Sequence, residues 1–181
     1  IQCSGGYGFT SEYLPEHFYR EARIHPIHEG TTAIHGMDLL ARKVAGSKGE
    51  FLKVFVEEVR EYISETERSD MQVYIAPLAE AIDDLEQVTV DVLTAAGQNP
   101  EELGTAANDY LHLFGYTAMA YMWSKMAQVA IDNKASGDEF YASKIHTANY
   151  FFAKLLPRRH SLIATIKAGS DTLFEIDDEL F

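Results

Sequence analysis

Met71-Gln-Val-Tyr-Ile75-Ala-Pro77-Leu78-Ala-Glu-Ala-Ile82-Asp-Asp-Leu85-Glu-Gln-Val-Thr89-Val-Asp-Val92-Leu-Thr-Ala-Ala96 is the stretch that decides the fold. Met71, Ile75, Leu78, Ile82, Leu85, Thr89, Val92 and Ala96 alternate steps of four and three residues. A half-buried strand would alternate with a step of two, whereas a helix returns to one face every three or four residues. The pattern is therefore the apolar seam of a helix packed lengthwise against others. Pro77 lacks an N–H and either lies in the first turn or kinks the helix. Gly97-Gln-Asn-Pro100 breaks the pattern.

Working outward, the same period recurs on both sides. Glu101 to about Lys134 resumes it with Tyr110, Phe114, Tyr121 and Trp123, and Ser136-Gly137 ends it. Tyr141, Ile145, Ala148, Phe152 and Leu155 form another run, after which Pro157 kinks the helix or starts a new one through Ile166. Upstream, Leu52, Phe55, Val56, Val59, Tyr62 and Ile63 mark an amphipathic helix, preceded by a linker-like Gly46-Ser-Lys-Gly49. Nearer the start, Glu12 to Arg23 reads as a short helix behind a glycine-rich turn over residues 1–11. Thr31 or Thr32 can cap a helix to about Lys43 or Val44, with Ile34, Met37, Leu40 and Val44 on one face. No strand-period run exceeds a few residues. The fold class predicted is all-α, a helical bundle formed by residues 50–67, 71–96, 101–134 and 139–156.

Charge and composition narrow the function. The 181 residues carry 15 Lys and Arg against 28 Asp and Glu, a net charge of −13. Such a polyanion repels phosphates, so neither a nucleic-acid partner nor an anionic membrane surface is expected. Residues 57–91 are the most acidic block and read as the solvated face of two helices, or as a docking surface for a basic partner. The single cysteine, Cys3, excludes an internal disulfide and a cysteine-based zinc framework, and a reducing cytoplasm is the expectation. Leu111 to Ile131 is the most apolar long stretch, but His112, Ser124, Lys125 and Gln128 mark it as a core helix and not a membrane span. The opening, from Ile1, lacks a signal-peptide pattern and suggests a piece of a longer protein.

The densest cluster of reactive side chains is His25-Pro26-Ile27-His28-Glu29-Gly30-Thr31, with His35 a helical turn further on. Pro26 keeps His25 and His28 off a common helical face, and no Glu-x-x-His pair is present, so no metal centre is expected. The other reading places the Glu29 carboxylate at a helix N-terminus behind a Gly-Thr cap. A carboxylate there serves as a dipole partner or takes up chemistry, and the residues alone leave both open.

These residues stand within a longer pattern. Gln2-Cys-Ser-Gly5-Gly6-Tyr7-Gly8-Phe9 with Glu12-Tyr13, then Tyr19-Arg-Glu-Ala-Arg23, then Ile27-His28-Glu29-Gly30-Thr31-Thr32 and Leu39-Leu-Ala-Arg42 follow in order. In this respect the chain resembles the flavin-dependent acyl-CoA dehydrogenases. Residues 1–45 resemble the last two helices of that family's catalytic fold. Residues 46–181 resemble the helical C-terminal extension of a longer branch that includes methylthiopropanoyl-CoA dehydrogenase-like enzymes, through Leu103-Gly104, Leu113-Phe-Gly115, Phe140-Tyr141, Tyr150-Phe-Phe152 and Asp178-Glu-Leu-Phe181.

The resemblance implies an oxidoreductase that carries out α,β-dehydrogenation of an acyl-CoA thioester, with FAD as hydride acceptor, an electron-transfer flavoprotein as the onward acceptor and a homo-oligomeric state. It maps the α-proton base onto Glu29, substrate contacts onto His28 and Gly30, and FAD contacts onto Gln2, Gly5, Gly6 and Thr31, the glycine pair reaching the cofactor of a neighbouring subunit. Two positions depart from the pattern: His28 stands where relatives usually have Tyr, and His35 where many have Gln. Each is either a packing residue or a means of retuning the base and the cofactor. Because the family's other domains are not in this chain, the isolated polypeptide is expected to be inactive. The rival reading is a non-catalytic helical scaffold or oligomerisation module that retains the motifs.

Overall fold

The computed structural model describes residues 1–24, Ile27 and residues 31–175. Tight 3-10 turns over Gln2–Phe9 lead into α1, Pro15–Ala22, which has Pro at its first position. Helix α2 starts as Thr32–Met37 and continues with π-helical winding over Asp38–Ala45. Then follow α3 (Glu50–Glu65), α4 (Gln72–Ala96) and α5 (Glu101–Asp132). Helix α6 (Glu139–Tyr150) passes into π-helical Phe151–Leu155 and a 3-10 turn at Leu156–Arg158, before α7 (Arg159–Lys167) and α8 (Asp171–Phe174). Among the described residues there is no strand, and the all-α expectation holds.

The predicted seam of α4 is buried: Ile75, Leu78, Ile82, Leu85, Thr89 and Val92, with Met71 just ahead of the helix. Tyr74, Ala81 and Val88 widen it into a second stripe, because α4 is covered from more than one side, by α3, α5 and α7. The helix runs through Pro77, which lies well inside it. The missing N–H leaves the Val73 carbonyl without its helical donor, and Val73 is 59% exposed, so water can take that place.

Helix α5 is the hub, in contact with α2, α4, α6 and α7. Small residues at Ala106, Ala107, Ala120, Ser124, Ala127 and Ala130 let these neighbours approach on several sides. Its Tyr110 is fully buried, and burial pushes the phenol up to about 12. Because the Thr89 hydroxyl donates to the Leu85 carbonyl at 2.7 Å, the Tyr110 Oη donates to Thr89 Oγ1, also at 2.7 Å. Polar ties close the outside. Arg159, only 4% exposed, donates from Nε to Asp84 at 2.8 Å and from Nη2 to Glu80 at 3.1 Å, fastening α7 to α4. Arg60 pairs with Asp83 at 2.7 Å and also with Glu86, so part of the acidic block is neutralised between α3 and α4.

Several local expectations need correction. Gly46 to Gly49 is a tight turn, with Gly49 at φ 85° and its N–H bonded to the Val44 carbonyl at 2.8 Å. The two π-helical segments were not anticipated. Their i→i+5 bonding rotates the face that follows, so the buried residues at the end of α6 are Phe151, Phe152 and Leu156, and Leu155 is only partly buried. On α2, Leu40 and Val44 are buried as expected, but Ile34 is 66% exposed and Met37 is also exposed. The buried face runs instead through Gly36, Leu40 and Val44.

Candidate functional site

Of the predicted site residues, His28, Glu29 and Gly30 lie outside the described residues, as does His25 of the same cluster. Thr31 is the N-cap of α2. Its carbonyl accepts from the His35 N–H at 3.0 Å, while its exposed side chain makes no capping bond. His35 is exposed on the same open face as Ile34 and Met37.

The opposite face of α2 is fixed. A Cβ added to Gly36 would lie 2.4 Å from the Ala107 carbonyl oxygen and 2.7 Å from its carbon, so here the backbones of α2 and α5 touch. Further on, Leu40 and Val44 enter the common core with Leu52, Val56 and Tyr110. Just ahead of Leu40, the half-buried Asp38 pairs with Arg42 and, at 3.0 Å, with Lys43. Those two cations hold the Asp38 carboxyl down at about 2. The helix that begins at the Glu-Gly-Thr motif is thus a member of the bundle along its second half.

Gln2, Gly5 and Gly6 share one exposed turn. Gly5 has φ 55° and ψ −134°, a conformation natural to glycine, and nothing lies within 4 Å of the Cβ position of either Gly5 or Gly6. Gly8 is the contrast: its Cβ would meet the Ile1 carbonyl oxygen at 2.6 Å. An open cleft of about 510 Å³ along this turn is lined by Ser4, Tyr7, Glu12, Tyr13, Leu14 and Pro15.

A flavin needs backbone that can be approached closely, polar groups at its edge and a closed apolar slot for its ring. The turn offers the first at Gly5 and Gly6 and the second at Gln2, and the Thr31 hydroxyl makes no capping bond. Among the described residues the aromatic side chains of that segment, Tyr7, Phe9 and Tyr13, are exposed and form no closed slot. The described residues among these fit an edge of a flavin site. Among the described residues, no group of three or more His, Cys, Asp or Glu is placed to hold a metal, and no helix is long and apolar enough to cross a membrane.

Sequence reasoning missed Gly36. Its only signal is a lone glycine within a helical pattern, a choice that costs about 1 kcal/mol relative to Ala and so calls for a packing reason.

Comparison with known proteins agrees with this layout. Residues 55–177 match the family described as acetyl-CoA dehydrogenase C-terminal like, and residues 1–45 match the acyl-CoA dehydrogenase C-terminal domain. All of the chain aligns with 32% of a broad-specificity linear acyl-CoA dehydrogenase of Mycobacterium tuberculosis, at 30% identity. At 35% identity, 86% of it aligns with 27% of a 3-methylmercaptopropionyl-CoA dehydrogenase of Ruegeria pomeroyi. An acryloyl-CoA reductase (NADH) of Anaerotignum propionicum is 46% identical over 44 residues, which is 24% of this chain and 11% of that protein. The chain spans about a third of the length of the first of these relatives. With both of its parts matched to C-terminal domains of one family, the chain belongs to the acyl-CoA dehydrogenases.

Proposed function

We propose that this chain supplies one wall of an acyl-CoA dehydrogenase active site, with Glu29 as the base that removes the α-proton of an acyl-CoA thioester. The observation that carries the reading is the position of the motif: Glu29-Gly30-Thr31 leads directly into a helix whose other end is locked in the bundle core. A thioester α-proton is a very weak acid, so its base must sit at a fixed distance in a water-poor site that raises its pKa. Gly30 lets the acyl group approach the backbone, and His28 lies beside it in sequence as a substrate contact. Gln2, Gly5, Gly6 and Thr31 would hold the edge of FAD, which when bound accepts the β-hydrogen as hydride. The complete enzyme is a cytoplasmic homo-oligomer that passes electrons to an electron-transfer flavoprotein.

Glu29→Gln in the complete enzyme keeps the size of the side chain and removes its basicity. Flavin content should persist, while reduction of the flavin by acyl-CoA should slow at least about 10²-fold, the low end of general-base contributions. His28→Tyr should cost far less. Rapid reduction in Glu29→Gln would move the base to another helix. The chain by itself, titrated with FAD, should show no stoichiometric binding at micromolar concentration. Stoichiometric binding would mean that the whole flavin site lies within these residues.

A further inference from the structure

We propose that the cleft between α4, α6 and the end of α5 is a ligand site that takes a small N-acylated amino acid with an apolar side chain. None of the residues assigned to the dehydrogenase reaction lines this cleft.

The cleft measures about 810 Å³, within the range of about 300–1,000 Å³ that suits small-molecule sites. Its walls are apolar at Pro77, Ile131, Ile145 and Phe152, and three polar groups stand among them. The first is a backbone acceptor. In a helix each carbonyl points along the axis at the N–H four residues on. Val73 and Pro77 both line the cleft and Pro77 has no N–H to give, so the Val73 carbonyl lies on this wall without its helical donor. The second is a donor. Tyr74, 2% exposed, donates from Oη to Asn149 Oδ1 at 2.7 Å, which fixes the amide with Nδ2 turned away from the phenol. That Nδ2 has no partner among the described residues. The third is a cation. Arg68 engages both Asp70, which also lines the cleft, at 2.9 Å and Asp132, and Lys134 has no acidic partner among the described residues.

An acceptor, a neutral donor and a cation around an apolar slot match one chemistry. A ligand N–H donates to the Val73 carbonyl in place of water, and a carboxylate accepts from Asn149 Nδ2 and faces Lys134. An aromatic side chain fills the slot beside Phe152, whose ring already stands edge-to-face with Tyr74 at 5.3 Å. An N-acylated aromatic amino acid carries these three groups within a few bonds of one another. A plain carboxylic acid would leave the Val73 carbonyl without a donor, and a neutral amide would leave Lys134 without its anion.

The test titrates the 181-residue chain with N-acetyl-L-phenylalanine, followed by calorimetry and by NMR shifts. The N-methylated analogue removes the donor, the methyl ester removes the charge, and an acetylated hexapeptide ending in phenylalanine presents the same residue as a polypeptide end. The parent compound should saturate, with shifts at Val73, Ile145 and Asn149. N-methylation should weaken binding about 3- to 10-fold, and esterification about 2- to 5-fold because Lys134 is exposed. Pro77→Ala returns an N–H to the Val73 carbonyl and removes a helix breaker, so it should melt no lower than wild type. In that variant the parent and its N-methylated analogue should bind equally. Asn149→Asp keeps the acceptor for Tyr74 and replaces the Nδ2 donor with a carboxylate oxygen, so it should weaken binding of the parent at least about 10-fold. Should Pro77→Ala fold poorly, Asn149→Asp decides. Failure of the parent to saturate, shifts confined to other faces, a preference for the N–H that survives in Pro77→Ala, or wild-type affinity in Asn149→Asp overturns the proposal. Tighter binding of the hexapeptide than of N-acetyl-L-phenylalanine would assign the cleft to a polypeptide end and overturn the small-ligand reading.

Discussion

The arm before α2 and the bundle after it use apolar residues in opposite ways. Phe9 is 92% exposed, and Tyr7, Leu14, Phe18 and Tyr19 are exposed as well, whereas Leu78, Ile82, Leu85 and Leu113 are wholly buried. Within residues 1–24 only Gly8 is buried. An apolar surface of this kind marks a face meant for another surface. The bundle closes a core from its own residues, and the described residues of the arm close none. Signature density and packing density lie in different halves of the chain, and α2 joins them.

The strongest way to break this contrast is a matched pair of truncations. Leu85→Ala should destabilise the chain by about 2–5 kcal/mol, the transfer and cavity cost of a buried leucine. Leu14→Ala, at an exposed site on the arm, should stay within about 0.5 kcal/mol. Denaturant unfolding followed by far-ultraviolet circular dichroism measures both, and equal losses would mean that the arm has a covered face. A smaller effect is expected at the polar tie of α7. Asp84→Ala leaves the buried Arg159 with Glu80 alone, whose side chain is 69% exposed, and should cost about 1–3 kcal/mol. Arg159→Met, which removes the buried charge together with its need for partners, should cost less than Asp84→Ala in the same assay.

How much of this was legible in the sequence depended on which kind of contact holds a residue in place. Apolar side chains packed at helical spacing announce themselves, so the α4 seam from Met71 to Val92 could be read residue by residue. Contacts made by the backbone do not. Gly36 has no side chain to count, so Ile34 and Met37 looked like the buried face of α2 when in fact they are exposed. Winding is silent too, since neither Asp38–Ala45 nor Phe151–Leu155 carries a residue that forces i→i+5 bonding. On the candidate site the motifs named Gln2, Gly5, Gly6 and Thr31, and the structure places them on an exposed turn and a helix cap. The turn and the cap are set by backbone conformation at Gly5 and Thr31, which the motifs alone do not specify.

Removing one hydroxyl from the core sharpens the comparison on a finer scale. Tyr110→Phe deletes the bond to Thr89 Oγ1 while Thr89 keeps its own donor bonded to Leu85, so the loss should be about 1 kcal/mol. The alkaline limb gives the sign. Burial raises the folded phenol to about 12, above its ordinary value, so the stability it contributes is intact below about pH 10 and is lost as pH rises through 12. Unfolding curves of the wild type and Tyr110→Phe should therefore converge in that window. A constant difference would place the charge-sensitive group elsewhere.

The smallest effect concerns α2, where arm and bundle meet. Asp38 is held at about 2 by hydrogen bonds and charge from Arg42 and Lys43, both of them exposed. A folded carboxyl below its unfolded value stabilises above the unfolded pKa of about 3.9, and that stabilisation is lost as pH falls through the folded value. Wild type should thus melt slightly above Asp38→Asn at neutral pH, and the gap should narrow from about pH 4 and close near pH 2. Salt should shrink the gap at neutral pH, because exposed pairs are readily screened. Asp70 and Asp91 are lowered as well, through Arg68 and through Gln87 and Lys167, so both proteins should lose stability over the same acid range and only their difference reports on Asp38. A gap that ignores both pH and salt would mean that position 38 matters through its shape at the start of the π-helical turn and not through its charge.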